Sequence, residues 1–172
     1  MWTLDSHLST AAFKLKSFLG LKRVRGEMPI SVGTITVTDM VAMIRVGAVL
    51  DARGITTGND KRDAHLRQVS LDTANHPQMT FRAQGVAPTS DGSWRVDGDL
   101  TIRGATAPIK LDVRLLNLFD GSVQLTAIGN LRRRQFGLIG KRRLVRDKVE
   151  IRITARLRRS SAEYPQAGGL AG

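Results

Sequence analysis

The amino-acid sequence predicts an all-β protein: a barrel or sandwich of about eight antiparallel strands, interrupted by one short helix. Three observations carry the prediction. Apolar and polar residues alternate with period two through most of the chain, as in strands with one buried and one wet face. Turn signals rich in Gly, Asp and Pro divide the alternating runs at short intervals, the spacing of closed or stacked β architectures. A single stretch, Ile55–Leu66, breaks the alternation and reads as a turn and a helix start.

The alternating runs fall near 2–8 continuing to 19, then at 22–29, 33–38, 41–51, 78–87, 93–103, 108–119, 122–131 and 145–158. The first of them are the hardest to separate. Within Ile55–Leu66, Thr57 is placed to cap the helix, with Asp60 reaching back to complete a capping box. Asp63 and Arg67 stand i,i+4 with the acid N-terminal, the favourable orientation. Arg62, Leu66 and Val69 share a helical face, so Leu66 and Val69 are expected to pack onto the barrel while Arg67 stays in water. Pro77 ends the irregular stretch that follows. Trp94, Val96, Gly98, Leu100 and Ile102 then alternate with Arg95, Asp97, Asp99, Thr101 and Arg103. Arg103–Pro108 reads as a longer turn, because Gly104 tolerates positive φ and Pro108 disfavours helix at Ala107. Ser90–Gly92 and Asp120–Gly121 are hairpin signals. Val149, Ile151, Ile153, Ala155 and Leu157 form an apolar face backed by basic residues.

At 172 residues the chain is read as one domain, 1–159, followed by a small, polar, Gly-rich tail over 160–172. There is no cysteine, so disulfides, thiolate metal sites and cysteine nucleophiles are excluded. Met1 leads directly into a strand pattern, without the basic start and apolar run of a secretion signal, and a cytoplasmic location is expected. The best apolar runs, 40–50 and 113–119, are broken by Arg45 and Arg114 and fall short of the ~20 residues of a membrane-spanning helix.

The formal net charge is +12, and it is concentrated. Residues 132–159 hold twelve Lys or Arg against Asp147 and Glu150, leaving the rest of the chain almost neutral. Arg132, Arg133, Arg134, Lys141, Arg142 and Arg143 are its densest part and form a candidate anionic surface-binding patch. An anionic membrane surface is one partner such a patch suits, and a solvated face that keeps the protein soluble is the other reading. Nucleic acid is disfavoured: aromatics are 5% of the chain, and the basic third offers only Phe136 and Tyr164 for base stacking.

Catalytic and metal motifs are missing from the sequence. His7, His65 and His76 follow no metal-ligand spacing, and there is no G-x-S-x-G, P-loop or G-x-G-x-x-G. His65 with Asp63 or Asp72 is the one grouping that a hydrolytic reading could use. The inward faces are largely aliphatic, with Phe13, Phe18, Phe81 and Trp94 as the large members. Such a wall suits an apolar chain, or a dry and filled core.

Several motifs then fall into one order: Trp2-Thr-Leu-Asp5 with Ser9 and Phe13; Val24-Arg-Gly26; Thr57-Gly58 with Arg62-Asp-Ala-His-Leu66; His76-Pro77 with Phe81; Gly98–Gly104 with Thr106 and Pro108; and Phe136-Gly137. In this the chain resembles the YceI-like family, from Trp2 to about Arg158. Leu8, Ser70-Leu71 and Gln135 depart from the family's pattern of His, aromatic pair and acid. The resemblance implies an eight-stranded antiparallel lipocalin-like barrel, with a short helix at one opening and a long interior pocket for an isoprenoid or fatty chain. It also implies no enzymatic activity, and no cofactor is expected. Phe13, Phe18, Leu66, Leu71, Phe81, Leu100, Phe136 and Leu138 are the candidate lipid-binding residues. Arg62, His65 and Arg103 are candidates for an anionic head group, with Arg62 also read as a clamp on Asp63. A homodimer is left open.

Overall fold

Period-two alternation folds here into a closed antiparallel meander. The computed structural model describes residues 1–16, 22–38, 43–138 and 146–160. Its strands are β1 (Trp2–Lys16), β2 (Arg23–Thr38), β3 (Met43–Asp51), β4 (Gln78–Pro88), β5 (Trp94–Ile102), β6 (Ala105–Asn117), β7 (Val123–Arg132) and β8 (Lys148–Arg159). Each strand pairs with the next, and β8 returns to β1, so the sheet closes without an edge. Helix α1 (Asp60–His65) and a π-helical turn, Leu66–Ser70, lie in the β3–β4 connection.

The strand directions give the barrel two unlike ends. The helix end carries the β1–β2, β3–β4, β5–β6 and β7–β8 connections. At the other end lie the β2–β3, β4–β5 and β6–β7 connections, together with Trp2 and Arg159, which are paired partners. We call this the hairpin end.

Two expectations about strand limits change. The runs at 22–29 and 33–38 are one strand, β2, whose pairing with β3 shifts register between Ile30 and Val32. A bulge of this kind bends a strand without ending it, which hid the continuity from period counting. The turn expected over Arg103–Pro108 is tighter: only Arg103 and Gly104 occupy it, at φ 49° and 76°. Two successive positive-φ residues are the geometry of a two-residue hairpin. Pro108 sits inside β6, opposite Asp99. Residues beyond Ser160, expected as the tail, lie outside the described residues.

Inward side chains of every strand form a single core cluster that includes Met28, Met79, Phe81, Val96, Leu100, Ile109, Leu111 and Val113. Two glycines let aromatic rings lie flat against the wall. A Cβ on Gly26 would fall 2.3 Å from the Phe13 ring, and one on Gly98 would fall 2.6 Å from both the Phe81 ring and the Arg82 carbonyl. Among the described residues, no helix is long and apolar enough to cross a membrane.

Candidate functional site

The barrel is not filled. A cavity of about 650 Å³ runs its length, within the range that holds small apolar ligands. At the hairpin end its walls are Trp2, Leu4, Val37, Ile44, Trp94, Leu115 and Val123; at the helix end they are Phe13, Leu15, Met28, Leu71, Leu131 and Val149. Besides the two indoles, only Thr34, Ser70, Asn117 and Arg133 among the described residues bring polar side chains to the lining. Such a wall supplies burial for an apolar chain and almost no hydrogen bonds to choose among polar ligands.

A short helical cover closes over the helix end. Ile55, Leu66, Ser70 and Leu71 reach the cavity from it. It is tied to β2 by reciprocal backbone bonds between Glu27 and Thr56, of 2.8 and 3.0 Å. On its far side the Arg103 guanidinium donates to the carbonyls of Val69 and Ser70 at 3.4 and 3.3 Å. Asp63, 4% exposed, organises the interior of the cover. It accepts from the Thr57 hydroxyl, from the Thr57 N–H at 2.9 Å and from the Thr56 hydroxyl at 3.2 Å. These bonds, the Thr57 hydroxyl foremost, hold the Asp63 carboxyl below the usual carboxylate range against the opposing effect of burial.

The local reading of this cover needs correction in three respects. Asn59, not Thr57, is the N-cap, its side chain accepting from the Arg62 N–H at 2.9 Å. Arg62 does not clamp Asp63; both converge on Thr57, Arg62 through the hydroxyl at 2.7 Å and the carbonyl at 3.2 Å. Val69 is 56% exposed, whereas Arg67 is partly buried and donates to the Ile55 carbonyl at 2.9 Å. The π turn explains the exchange. Its closing bond runs from the Leu71 N–H to the Leu66 carbonyl, so one extra residue enters the turn and every later side chain is rotated out of α phase.

Of the candidate lining residues, Phe13, Leu66, Leu71, Phe81, Leu100 and Leu138 face the cavity. Phe18 lies outside the described residues. Phe136 does not line the cavity: it is 2% exposed, packed into the core in the tight turn Arg133–Phe136 that sits against β6. None of the three head-group candidates reaches the cavity either. Arg62 is occupied by Thr57, Arg103 by the end of the π turn, and His65 is exposed on the outer side of the helix. Among the described residues there is no cluster of His, Asp or Glu that could hold a metal.

The basic run divides in an unexpected way. Arg132 and Arg134 are exposed, Lys141, Arg142 and Arg143 lie outside the described residues, and Arg133 turns into the cavity. Its Nη2 donates to the Leu138 carbonyl at 2.8 Å. Burial pushes its guanidinium below the usual value, with nearby Asp147 opposing the shift, and it remains a cation at any ordinary pH. A signal for it existed in the sequence. Continuing the inward series Leu125, Ala127 and Leu131 by one period places Arg133 on the same face.

These features define a class: an eight-stranded up-and-down barrel around one long apolar cavity, covered at one end by a short helix. The YceI-like domain matches residues 2–157, and the chain belongs to that family. Curated relatives are a UPF0312 protein of Pectobacterium atrosepticum and protein YceI of Escherichia coli. Each is 34% identical over 77 residues, covering 44% of this chain and 40% of the relative. A UPF0312 protein of Yersinia pestis is 34% identical over 105 residues, 60% of this chain and 54% of its own length. The alignable part thus spans about half or less of those relatives. Solved structures agree along more of the chain. BcnA of Burkholderia cenocepacia superposes with a TM-score of 0.77 at 18% identity, covering 91% of this chain and 99% of its own. A polyisoprenoid binding domain from Saccharophagus degradans, implicated in plant cell wall breakdown, does so at 0.70 and 13% identity, covering 92% and 98%. At these identities the likeness establishes the fold.

Proposed function

We propose that this protein binds one long apolar lipid, of the polyisoprenoid or fatty-chain kind, along the axis of its barrel, as a carrier or sensor and without altering it chemically. One observation carries the reading: a cavity that runs from Trp2 to Leu138 with a nearly unbroken aliphatic and aromatic wall. Each methylene moved into it from water contributes about 0.8 kcal/mol, so chain burial would dominate affinity. Binding of a polyisoprenoid by the Saccharophagus domain supports the same ligand class here. Of the two carboxylates a hydrolytic reading would use, Asp63 accepts from Thr56 and Thr57, and Asp72 accepts from the Asn75 amide on both oxygens. Native mass spectrometry of protein purified without detergent tests the proposal, followed by titration with hexadecanol and a polyprenol. Bound lipid, or uptake at one equivalent, is expected; apo protein that takes up neither would overturn it.

A second reading concerns the outer face, and strand register favours it. Lys14 lies opposite Arg25, Lys16 opposite Arg23, and Arg132 opposite Lys148, all exposed and all at the helix end. Like charges directly across a ladder destabilise it, and of these six only Lys14 has an acidic partner among the described residues, Glu150 at 3.2 Å. A surface held at that cost suits an anionic bilayer, which would bring the covered opening to the lipid reservoir. Co-flotation with anionic vesicles at low salt, lost at high salt and absent for neutral vesicles, is the expected result. Failure to float at low salt, or equal retention on duplex DNA, would count against it.

A further inference from the structure

We propose that Arg133 is an anchor inside the cavity for an anionic head group, so that the barrel selects single-chain lipids ending in a carboxylate or phosphate ester over neutral ones. The inference rests on the lipid-binding reading and adds the head-group chemistry and the orientation of the ligand.

Among the described residues Arg133 is the sole charged side chain in the lining. It stands at the helix end, on the turn that leaves β7, so its charge is confined to one extremity of an otherwise apolar cavity. An apolar side chain in that position would cost less to bury, because a cation in such a wall is expensive unless it is paired. Nearby Asp147 makes no side-chain hydrogen bond or ion pair with it, and the Asp147 Oδ2 accepts no hydrogen bond among the described residues. Asp147 takes the Arg134 N–H on Oδ1 at 2.9 Å and the Arg134 Nε beside Oδ2 at 2.9 Å. Arg133 takes part in none of the ion pairs of the described residues. Its bond to the Leu138 carbonyl uses one N–H of a group that carries five. The planar fork thus has donors to spare, in the geometry that carboxylates and phosphates accept in pairs.

The remaining polar lining groups do not compete for this role. Ser70 is a single neutral hydroxyl, while Thr34 and Asn117 lie toward the hairpin end. A lipid whose head meets Arg133 therefore lies with its chain pointing toward Trp2 and Asn117. The exposed Arg132 flanks the site on the outside and adds attraction for an approaching anion, while Arg134 is paired with Asp147.

Paired probes of equal chain length test the assignment: palmitate against hexadecanol, and geranylgeranyl diphosphate against geranylgeraniol. They are titrated into the wild-type protein, Arg133→Met and Arg133→Lys. Wild type should favour each anion by about ten- to hundredfold, the range of a charged hydrogen-bonded contact. Arg133→Met should reduce anion affinity to that of the alcohol while leaving alcohol affinity within about threefold. Arg133→Lys should keep part of the preference. If Arg133→Met fails to fold, nitrogen NMR of the wild-type arginine side chains decides: the Arg133 Nε resonance should shift with palmitate and stay in place with hexadecanol. Equal affinity of wild type for acid and alcohol, or a preference that survives Arg133→Met, would overturn the anchor and leave lipid binding intact. Binding of neither lipid would remove the reading it rests on, and the anchor with it.

Discussion

Replacing Ala127 by Phe should plug the barrel at mid-length. Ala127 is the fifth of ten residues in β7, is 2% exposed, and lines the cavity between Val113 of β6 and Ile153 of β8. A phenyl ring there projects into the void and leaves about half the channel to a chain lying along the axis. Hexadecanol would then keep about eight of its carbons out of the wall, which at ~0.8 kcal/mol per methylene is a loss of about 6 kcal/mol. Part of the excluded chain can fold back into the open half, so about 3–6 kcal/mol is the working range, or about a hundred- to ten-thousandfold in Kd. A short alcohol such as octanol should bind within about threefold of its wild-type affinity, because half the channel still holds it. The ring enters empty space, so the melting temperature should stay within a few degrees of wild type. Displacement of an apolar fluorophore gives the affinities, and a thermal melt gives the control. Unchanged hexadecanol affinity in a folded variant would refute the axial cavity as the chain's site.

Three further predictions concern the scaffold and its surface. Gly98→Ala puts a methyl 2.6 Å from both the Phe81 ring and the Arg82 carbonyl, so ring and strand must shift; urea denaturation should show a loss of about 1–3 kcal/mol. Asp63→Asn should lower stability at neutral pH. The Asp63 carboxyl is held below its ordinary value when folded, so its contribution is full above about pH 4 and fades as the pH falls through the depressed folded value. The gap between wild type and variant must therefore narrow in acid, and parallel stability curves would contradict this role. Lys16→Glu exchanges a like-charge pair with Arg23 for an opposite one, so the urea midpoint should rise, by about 0.2–1 kcal/mol in stability, while anionic vesicle binding falls. A variant that binds vesicles as well as wild type would remove the basic face from the docking reading.

Strand existence, antiparallel order and the apolar lining were legible in the sequence because each rests on a period of two that survives closure into a barrel. Phe13, Phe81 and Leu100 could be placed inward from alternation alone, and they do line the cavity. What escaped lies where that period changes. The π turn adds one residue to a helical turn, and nothing in Leu66–Ser70 announces the addition, so helical periodicity gives Val69 and Arg67 each other's surroundings. Arg133 was hidden by its neighbours: read as a block, Arg132-Arg133-Arg134 is a surface patch, whereas read by parity its middle member belongs to the inner face. Phe136 followed the opposite course. Its tight turn packs it into the core beside the channel, a distinction between filled and open interior that alternation does not carry.

Closure of β8 onto β1 has a kinetic consequence. A sheet with a free edge can part there and admit a ligand sideways, but here each strand pairs with a neighbour on both sides, down to the shortest ladder, five pairs between β3 and β4. A bound chain must therefore slide out lengthwise, reptating past successive rings of side chains. Capture needs only the leading end to find an opening, whereas escape requires the whole chain to be withdrawn into water. Across a homologous series of ligands, dwell time should lengthen with every added methylene while the capture rate barely moves.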